Sequence, residues 1–152
     1  DKIFAVRPSG TAASVSRAMR AAMEKQSECD GLYDGAEVVP EVETHALGGG
    51  KTLALLPCGA GAYNYSSVAF IVAGGKAVPA DLDGGDGMLV NAGFGNGLLT
   101  SYAKGRGVGD CGNAETYVWD GKRFRMTEAR SMGECRGSNN WLTTYRATPV
   151  FR

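Results

Sequence analysis

The segment of residues 104–137 constrains the fold of this chain most, because it combines a glycine-rich run, two cysteines and a tight-turn signal. The turn signal is Asp120-Gly121, since a type I′ turn needs positive φ at both central residues and glycine adopts it without a steric penalty. The segments on either side, rich in aromatic and apolar residues, are Thr116–Trp119 and Arg123–Met126. The sequence therefore predicts a β-hairpin in which Trp119 contacts Phe124 across the strands, the alternative for Trp119 being a ligand-stacking role.

The four cysteines indicate disulfides rather than a metal site. Cys29, Cys58, Cys111 and Cys135 form no CxxC pair, and the single histidine, His45, cannot complete a Cys/His zinc set. Four cysteines permit three pairings, and nearest-neighbour pairing closes the shorter loops, so we expect Cys29–Cys58 and Cys111–Cys135. Disulfides favour an oxidising compartment, periplasmic or otherwise extracytoplasmic. Four reduced thiols in a cytosolic protein are the alternative.

Charge and hydropathy argue against two classes of partner. The 16 basic residues equal the 16 acidic residues, so no excess of positive charge exists to bind a nucleic-acid backbone. Apolar runs such as residues 68–73 fall short of the roughly 20 residues that a membrane helix requires. The sequence therefore predicts neither nucleic-acid binding nor a membrane-spanning segment.

Hydrophobic periodicity predicts an α+β fold. One helix is expected over Thr11–Gln26, with an apolar stripe formed by Val15, Ala18, Met19, Ala22 and Met23. The rest of the chain reads as about seven to nine mainly antiparallel strands separated by glycine turns, with the helix packed on the sheet. They include an edge strand over residues 37–44, which contains Pro40, and a last strand over residues 141–150.

No linker divides the chain, so residues 1–152 are expected to form a single domain. The strand-like segment that starts abruptly at Asp1, together with the compartment indicated by the cysteines, suggests a fragment of a longer exported protein.

No complete catalytic, metal or cofactor motif is present. The acidic segment Asp81–Gly87 has Gly85 and Ala92 at the fifth and twelfth positions, where a calcium loop needs a polar ligand and a glutamate. The glycine run at Lys104 lacks the P-loop ending, and no helix follows it. Carboxylates that suit a hydrolase by residue type alone are Asp110, Glu115, Glu128 and Glu134.

Candidate binding residues fall into a cationic and an aromatic group. The cations Lys104, Arg106 and Arg136 form an anion patch if the second disulfide draws Arg136 close, the alternative being a structural glycine turn. Contacts through exposed loops with a protein or a glycan are expected from Tyr63, Asn64, Tyr65, Trp119 and Trp141.

A series of short motifs resembles one known family. They are Leu56-Pro57-Cys58, Gly61-Ala62-Tyr63-Asn64, Lys104-Gly105-Arg106-Gly107, Gly109-Asp110-Cys111-Gly112, Tyr117-Val118-Trp119-Asp120-Gly121 with Phe124, Glu134-Cys135-Arg136-Gly137 and the Trp141 segment. Over roughly residues 53–147 the chain resembles the C-terminal part of a bacterial exported family known as domain of unknown function 1176. The resemblance implies an exported, disulfide-containing protein longer than this chain, and it implies no activity.

These observations favour a non-catalytic, extracytoplasmic binding or structural domain of the bacterial envelope that contacts a protein or a glycan. One alternative is an inhibitor of a secreted enzyme, with the loop Gly59–Asn64 inserted into the enzyme's cleft. A small hydrolase that uses acidic residues is the other.

Overall fold

The structure is a computed structural model that describes residues 1–61, 64–105, 111–132 and 141–152. These residues contain one helix, α1 (Arg17–Gln26), and twelve strands in three sheets. In chain order the strands are β1 (Lys2–Ala5), β2 (Glu43–Gly48), β3 (Lys51–Ala60), β4 (Tyr65–Ala73), β5 (Lys76–Pro79), β6 (Met88–Val90), β7 (Gly93–Gly95), β8 (Leu98–Lys104), β9 (Gly112–Trp119), β10 (Phe124–Met132), β11 (Leu142–Arg146) and β12 (Thr148–Phe151).

The three sheets differ in strand order and in the direction of pairing. The helix-side sheet has the order β2-β3-β4-β5, and β6 also pairs with β4. The hairpin sheet has the order β11-β10-β9-β8-β7, and every pair within these two sheets is antiparallel. The terminal ribbon consists of β1 and β12, which pair in parallel. The prediction of an α+β, mainly antiparallel fold is confirmed, but the expected single sheet of seven to nine strands is wrong.

Alternation along buried strands sets the order of the layers. In β3, Leu53 and Leu55 face the core between the helix-side and hairpin sheets, whereas Ala54 and Leu56 face the helix. In β9, Tyr117 and Trp119 belong to the first of these cores, and Val118 packs instead against Ile3 and Ala5 of the terminal ribbon. Helix, helix-side sheet, hairpin sheet and terminal ribbon therefore follow one another as four layers.

The helix is shorter than the periodicity predicts. Ser16 is its N-cap and accepts a hydrogen bond from the Met19 N–H at 3.1 Å, so α1 begins at Arg17. Met23 is fully buried and Met19 packs beside it, while Ala18 and Ala22 are exposed. Of the predicted stripe, Val15, Met19 and Met23 pack on the sheet and the two alanines do not.

The disulfide Cys29–Cys58 is present, with a Cα–Cα distance of 5.4 Å. It joins the residue just after the helix to the end of β3, as the nearest-neighbour pairing predicts. Cys111 is buried, and its predicted partner Cys135 lies outside the described residues, so the second pair stays a prediction.

The hairpin at Asp120-Gly121 is confirmed, but its predicted turn type is wrong. The paired residues Trp119 and Phe124 have ring centroids 5.0 Å apart. Of the two residues Asp120 and Gly121, only Gly121 has the positive φ that a type I′ turn needs at both positions. The Asp120 side chain instead accepts hydrogen bonds from the N–H groups of Lys122 and Arg123, each at 2.8 Å. This side-chain cap forms a longer loop than a type I′ turn.

The type I′ signature occurs instead between β7 and β8. Asn96 and Gly97 have φ values of 52° and 77°, so both central residues have the positive φ that this turn needs. A Cβ built on Gly97 would lie 2.5 Å from Cε1 of Phe151, which shows how closely β12 approaches this turn.

Two predicted strands are misplaced. The strand expected over residues 37–44 begins only at Glu43, because Pro40 directs its carbonyl to the Arg20 side chain, which donates to it at 2.7 Å. The last predicted strand is two strands in different sheets, and Ala147 between them donates its N–H to the Thr127 carbonyl.

Within the described residues, no helix has the length and apolarity that crossing a bilayer needs.

Gly97→Ala should destabilise the protein by about 2–3 kcal/mol, because it adds a steric clash to backbone strain. Gly75→Ala is the matched control, since Gly75 has φ of 76° and open space around its Cβ position. Urea unfolding of both variants measures the two effects. Equal losses of stability would show that Phe151 does not restrict Gly97.

Replacing Cys29 and Cys58 together by alanine should lower the free energy of unfolding by about 3 kcal/mol, since the disulfide closes a loop of 29 residues. Urea denaturation under oxidising conditions measures the loss. An unchanged unfolding midpoint would mean that the disulfide does not restrain the unfolded chain.

Candidate ligand-binding site

The register of the hairpin sheet places three side chains in one row across its outer face, the face turned away from the core shared with the helix-side sheet. Tyr102 pairs with Ala114, and Ala114 pairs with Arg130. These residues alternate with Ser101 and Glu115, so their side chains lie on the opposite face from the Ser101 hydroxyl, which donates to Val90 of β6.

Trp141 completes the site from the chain just before β11. Its indole ring makes an edge contact with Tyr102 at a centroid distance of 5.6 Å, and the Arg130 guanidinium carbon lies 5.7 Å from its ring centroid. Because Tyr102 and Arg130 occupy the two ends of the row, the indole spans Ala114 between them. A larger side chain at position 114 would occupy this space.

A cavity of about 250 Å³ lies beside the indole. Its polar side chains come from the adjacent row, where Thr100 pairs with Thr116. Ser101 and Glu115 border the cavity too, but strand alternation directs their side chains inward and leaves their main chain at its wall. The cavity therefore combines an aromatic wall, hydroxyl groups and one guanidinium.

Glu128 positions the guanidinium. Its Oε1 lies 3.0 Å from Nε of Arg130, and its Oε2 accepts hydrogen bonds from Nε and Nη2 of Arg146 at 3.2 and 3.0 Å. One carboxylate is thus shared by two arginines. The Arg130 side chain is still 44% exposed, so it is held in place without being withdrawn from solvent.

A second group of predicted residues meets at the end of the strands, where it has a structural role. The Asn64 Oδ1 accepts hydrogen bonds from the Lys104 main-chain N–H at 2.9 Å and from Asn91 Nδ2 at 3.0 Å. Asn64 Nδ2 donates to the Lys104 carbonyl, and Asn91 Oδ1 accepts the Tyr65 N–H, each at 3.0 Å. The Asn64 amide thereby links β4 to β8 of the other sheet.

The other predicted binding residues are not brought together. Trp119 is 3% exposed and packs in the core, so it lacks the exposure that a ligand contact requires. Tyr65 is 70% exposed, but it lies in β4, outside the cavity beside Trp141. Tyr63, Arg106 and Arg136 lie outside the described residues.

The carboxylates considered for a hydrolase do not form a pair within the described residues. Glu128 shares the outer face with Thr116, whereas Glu115 lies on the inner face beside Tyr117. Asp110 and Glu134 are outside the described residues. The Nε2 atom of His45 lies 2.6 Å from Oε2 of Glu43, and the imidazole contacts the Phe94 ring. Among the described residues, no group of acidic, histidine or cysteine side chains is placed to bind a metal ion.

Burial changes the titration of two inner residues. It raises the pKa of the Glu115 carboxyl above its usual value. Burial, with smaller contributions from the charges of Glu115, Asp83 and Asp86, raises the pKa of Tyr117 to about 12. Desolvation of the phenol and the neighbouring Glu115 carboxylate both oppose ionisation of Tyr117.

Sequence reasoning identified Trp141 but missed Tyr102, Arg130 and the two threonines. Nothing in their local sequence distinguishes them from other strand residues. Their cross-strand register alone brings them together, and it depends on the bulge in β10 between Met126 and Glu128.

One family model and one curated relative match this chain. The family model described as a protein of unknown function, DUF1176, matches residues 5–148, which extends well before the motifs that suggested it. The uncharacterized protein YpfG of Escherichia coli strain K12 is 34% identical over 121 residues, which cover 69% of this chain and 35% of YpfG. The chain thus spans about a third of the length of this relative. No solved structure matches the chain.

Glu115→Gln should stabilise the protein at neutral pH. Because the folded state raises the pKa of Glu115, it binds that proton more tightly than the unfolded chain, and stability falls as pH rises towards the folded pKa. The advantage of the glutamine variant should therefore grow from pH 4 upwards and then level off. Urea unfolding across this range measures it.

Glu37→Gln, in an exposed loop, controls for the loss of one negative charge. The absorbance of tyrosinate at 295 nm should also show Tyr117 ionising near pH 12, and somewhat earlier in the Glu115 variant. A stability difference that does not change with pH would contradict the assignment.

Proposed function

We propose that this chain, which belongs to the DUF1176 family of proteins of unknown function, is a non-catalytic, extracytoplasmic domain of the bacterial envelope that binds glycans through the Trp141 site. The observation that carries the proposal is the indole of Trp141 spanning Ala114 between Tyr102 and Arg130, beside an open cavity.

The chemistry of this cavity suits a sugar ring. A pyranose has apolar C–H faces that stack on an aromatic ring, and its rim carries hydroxyl groups that need hydrogen-bond partners. Trp141 supplies the ring, while Thr100, Thr116 and Arg130 supply polar groups at the wall. The Thr100 hydroxyl donates to the Gly93 carbonyl at 3.3 Å, and its oxygen can still accept a hydrogen bond from a ligand hydroxyl.

The disulfide Cys29–Cys58 supports the extracytoplasmic location, because disulfides persist in oxidising compartments and are rare in the cytosol. It also fixes the helix to β3, whose side chains enter both the core under the helix and the core between the two large sheets.

The arrangement of charges supports a binding role over hydrolysis. A glycosidase needs two carboxyl groups facing one cleft, one of them with a raised pKa. Here the carboxyl with a raised pKa, Glu115, is on the inner face, and Glu128 on the outer face is held by two arginines. The two carboxylates are separated by the sheet.

Trp141→Ala should weaken glycan binding about tenfold, equivalent to 1.4 kcal/mol, because the stacking surface is lost. Retention of the protein in gels containing purified bacterial envelope polysaccharides measures the affinity. Tyr145→Ala is the matched control, since Tyr145 is an exposed aromatic residue of β11 that does not line this cavity.

Two results would contradict the proposal. If the wild-type protein is retained by none of the polysaccharides, glycan binding is wrong. If the Trp141 and Tyr145 variants lose affinity equally, the ligand does not occupy this cavity.

A further inference from the structure

The guanidinium of Arg130 indicates the charge of the proposed sugar ligand. Resting on the proposed function, we infer that the Trp141 site binds an acidic sugar whose ring carboxylate is paired by the Arg130 guanidinium.

The orientation of Arg130 leaves its end available for a ligand. The ion pair with Glu128 uses Nε, at 3.0 Å. Among the described residues, the two terminal amino groups have no hydrogen-bonded protein partner. Two parallel N–H groups at the end of a guanidinium match the two oxygens of a carboxylate, and this bidentate pairing is stronger than a bond to a neutral hydroxyl.

The charge balance around the cavity favours an anion. Glu128 is shared between Arg130 and Arg146, so the three side chains together carry one positive charge. Glu115, the acidic residue that borders the cavity, has its side chain on the far face of the sheet, and burial raises its pKa. A ligand carboxylate at Arg130 would therefore meet an excess of positive charge.

Lys104 adds a second positive charge on the same face. It lies two residues beyond Tyr102 in β8, so its side chain emerges on the outer face about 7 Å further along the strand. Asn64 binds both its main-chain N–H and its carbonyl, which fixes the strand at this point. Lys104 is therefore placed to attract the acidic groups of neighbouring sugars in a chain.

The stacking surface distinguishes an acidic sugar from a simple anion. The Arg130 guanidinium approaches one part of the Trp141 indole, and the cavity opens beside that ring towards Thr100 and Thr116. A ligand in contact with all of these groups carries an apolar ring face, hydroxyl groups and a carboxylate on one ring. A uronic acid has these three features together.

Isothermal titration of the whole chain with a galacturonic acid trimer and with its methyl ester tests the inference, since esterification removes the charge of each carboxyl group and adds one methyl group. The acid should bind at least tenfold more tightly at low salt. Its advantage should shrink as ionic strength rises, because salt screens the charges.

Arg130→Met should weaken binding of the acid about tenfold and change binding of the ester less than twofold. Arg125→Met is the matched control: it lies in the same strand, is 40% exposed and pairs with Asp83 on a different part of the surface. The control should leave both affinities unchanged. Equal losses in the two variants would overturn the role of Arg130.

The outcomes separate this inference from the proposed function. If acid and ester bind equally and Trp141→Ala abolishes both, the glycan site stands and selectivity for an acidic sugar is overturned. If the acid does not bind although the wild-type protein is retained by another envelope polysaccharide, the inference alone fails. If no polysaccharide retains the protein, both fail.

Discussion

The structure depends on strands that are buried on both faces. In β3 and β4 every residue from Leu53 to Leu56 and from Val68 to Val72 is withdrawn from water, and alternate side chains enter different cores. Such strands read as continuous apolar runs, because neither face has a polar side. Burial of these side chains contributes about 25 cal/mol per Å² of apolar surface, and it holds the helix and both large sheets against one another.

The candidate binding site is a consequence of how the outermost layer is covered. The terminal ribbon packs against Val118 and Leu98 and so covers one part of the outer face of the hairpin sheet. The row from Tyr102 to Arg130 lies beyond it, and Trp141 partly covers that row without filling the cavity. An aromatic surface bordered by hydroxyls and a guanidinium remains accessible there, and this combination suits the proposed recognition of a polar ring ligand.

Local features were predicted well where one short segment contains the whole instruction. The hairpin with its Trp119–Phe124 contact is an example, because the turn residues and the paired aromatics are adjacent in the chain. The turn type was wrong because the Asp120 side chain caps the loop, while the Asn96-Gly97 dipeptide carries the type I′ conformation. No local sequence pattern indicated that Tyr102, Arg130 and Trp141 would meet. Tyr102 lies in β8, Arg130 lies in β10 and Trp141 precedes β11, so only the pairing of the strands brings them together.

The amino-acid sequence by itself determined the class of fold, the pairing of Cys29 with Cys58, the family and the candidate role of Trp141, because periodicity, turn residues and cysteine spacing act over short stretches of chain. Tertiary structure decided the four layers, the placement of Trp119 in the core and the assembly of the candidate binding site. The physical reason is strand register, since one residue of shift sends a side chain to the opposite face of a sheet. Glu115 and Thr116 are neighbours in the chain, yet one lies beside Tyr117 inside the protein and the other in the wall of the cavity.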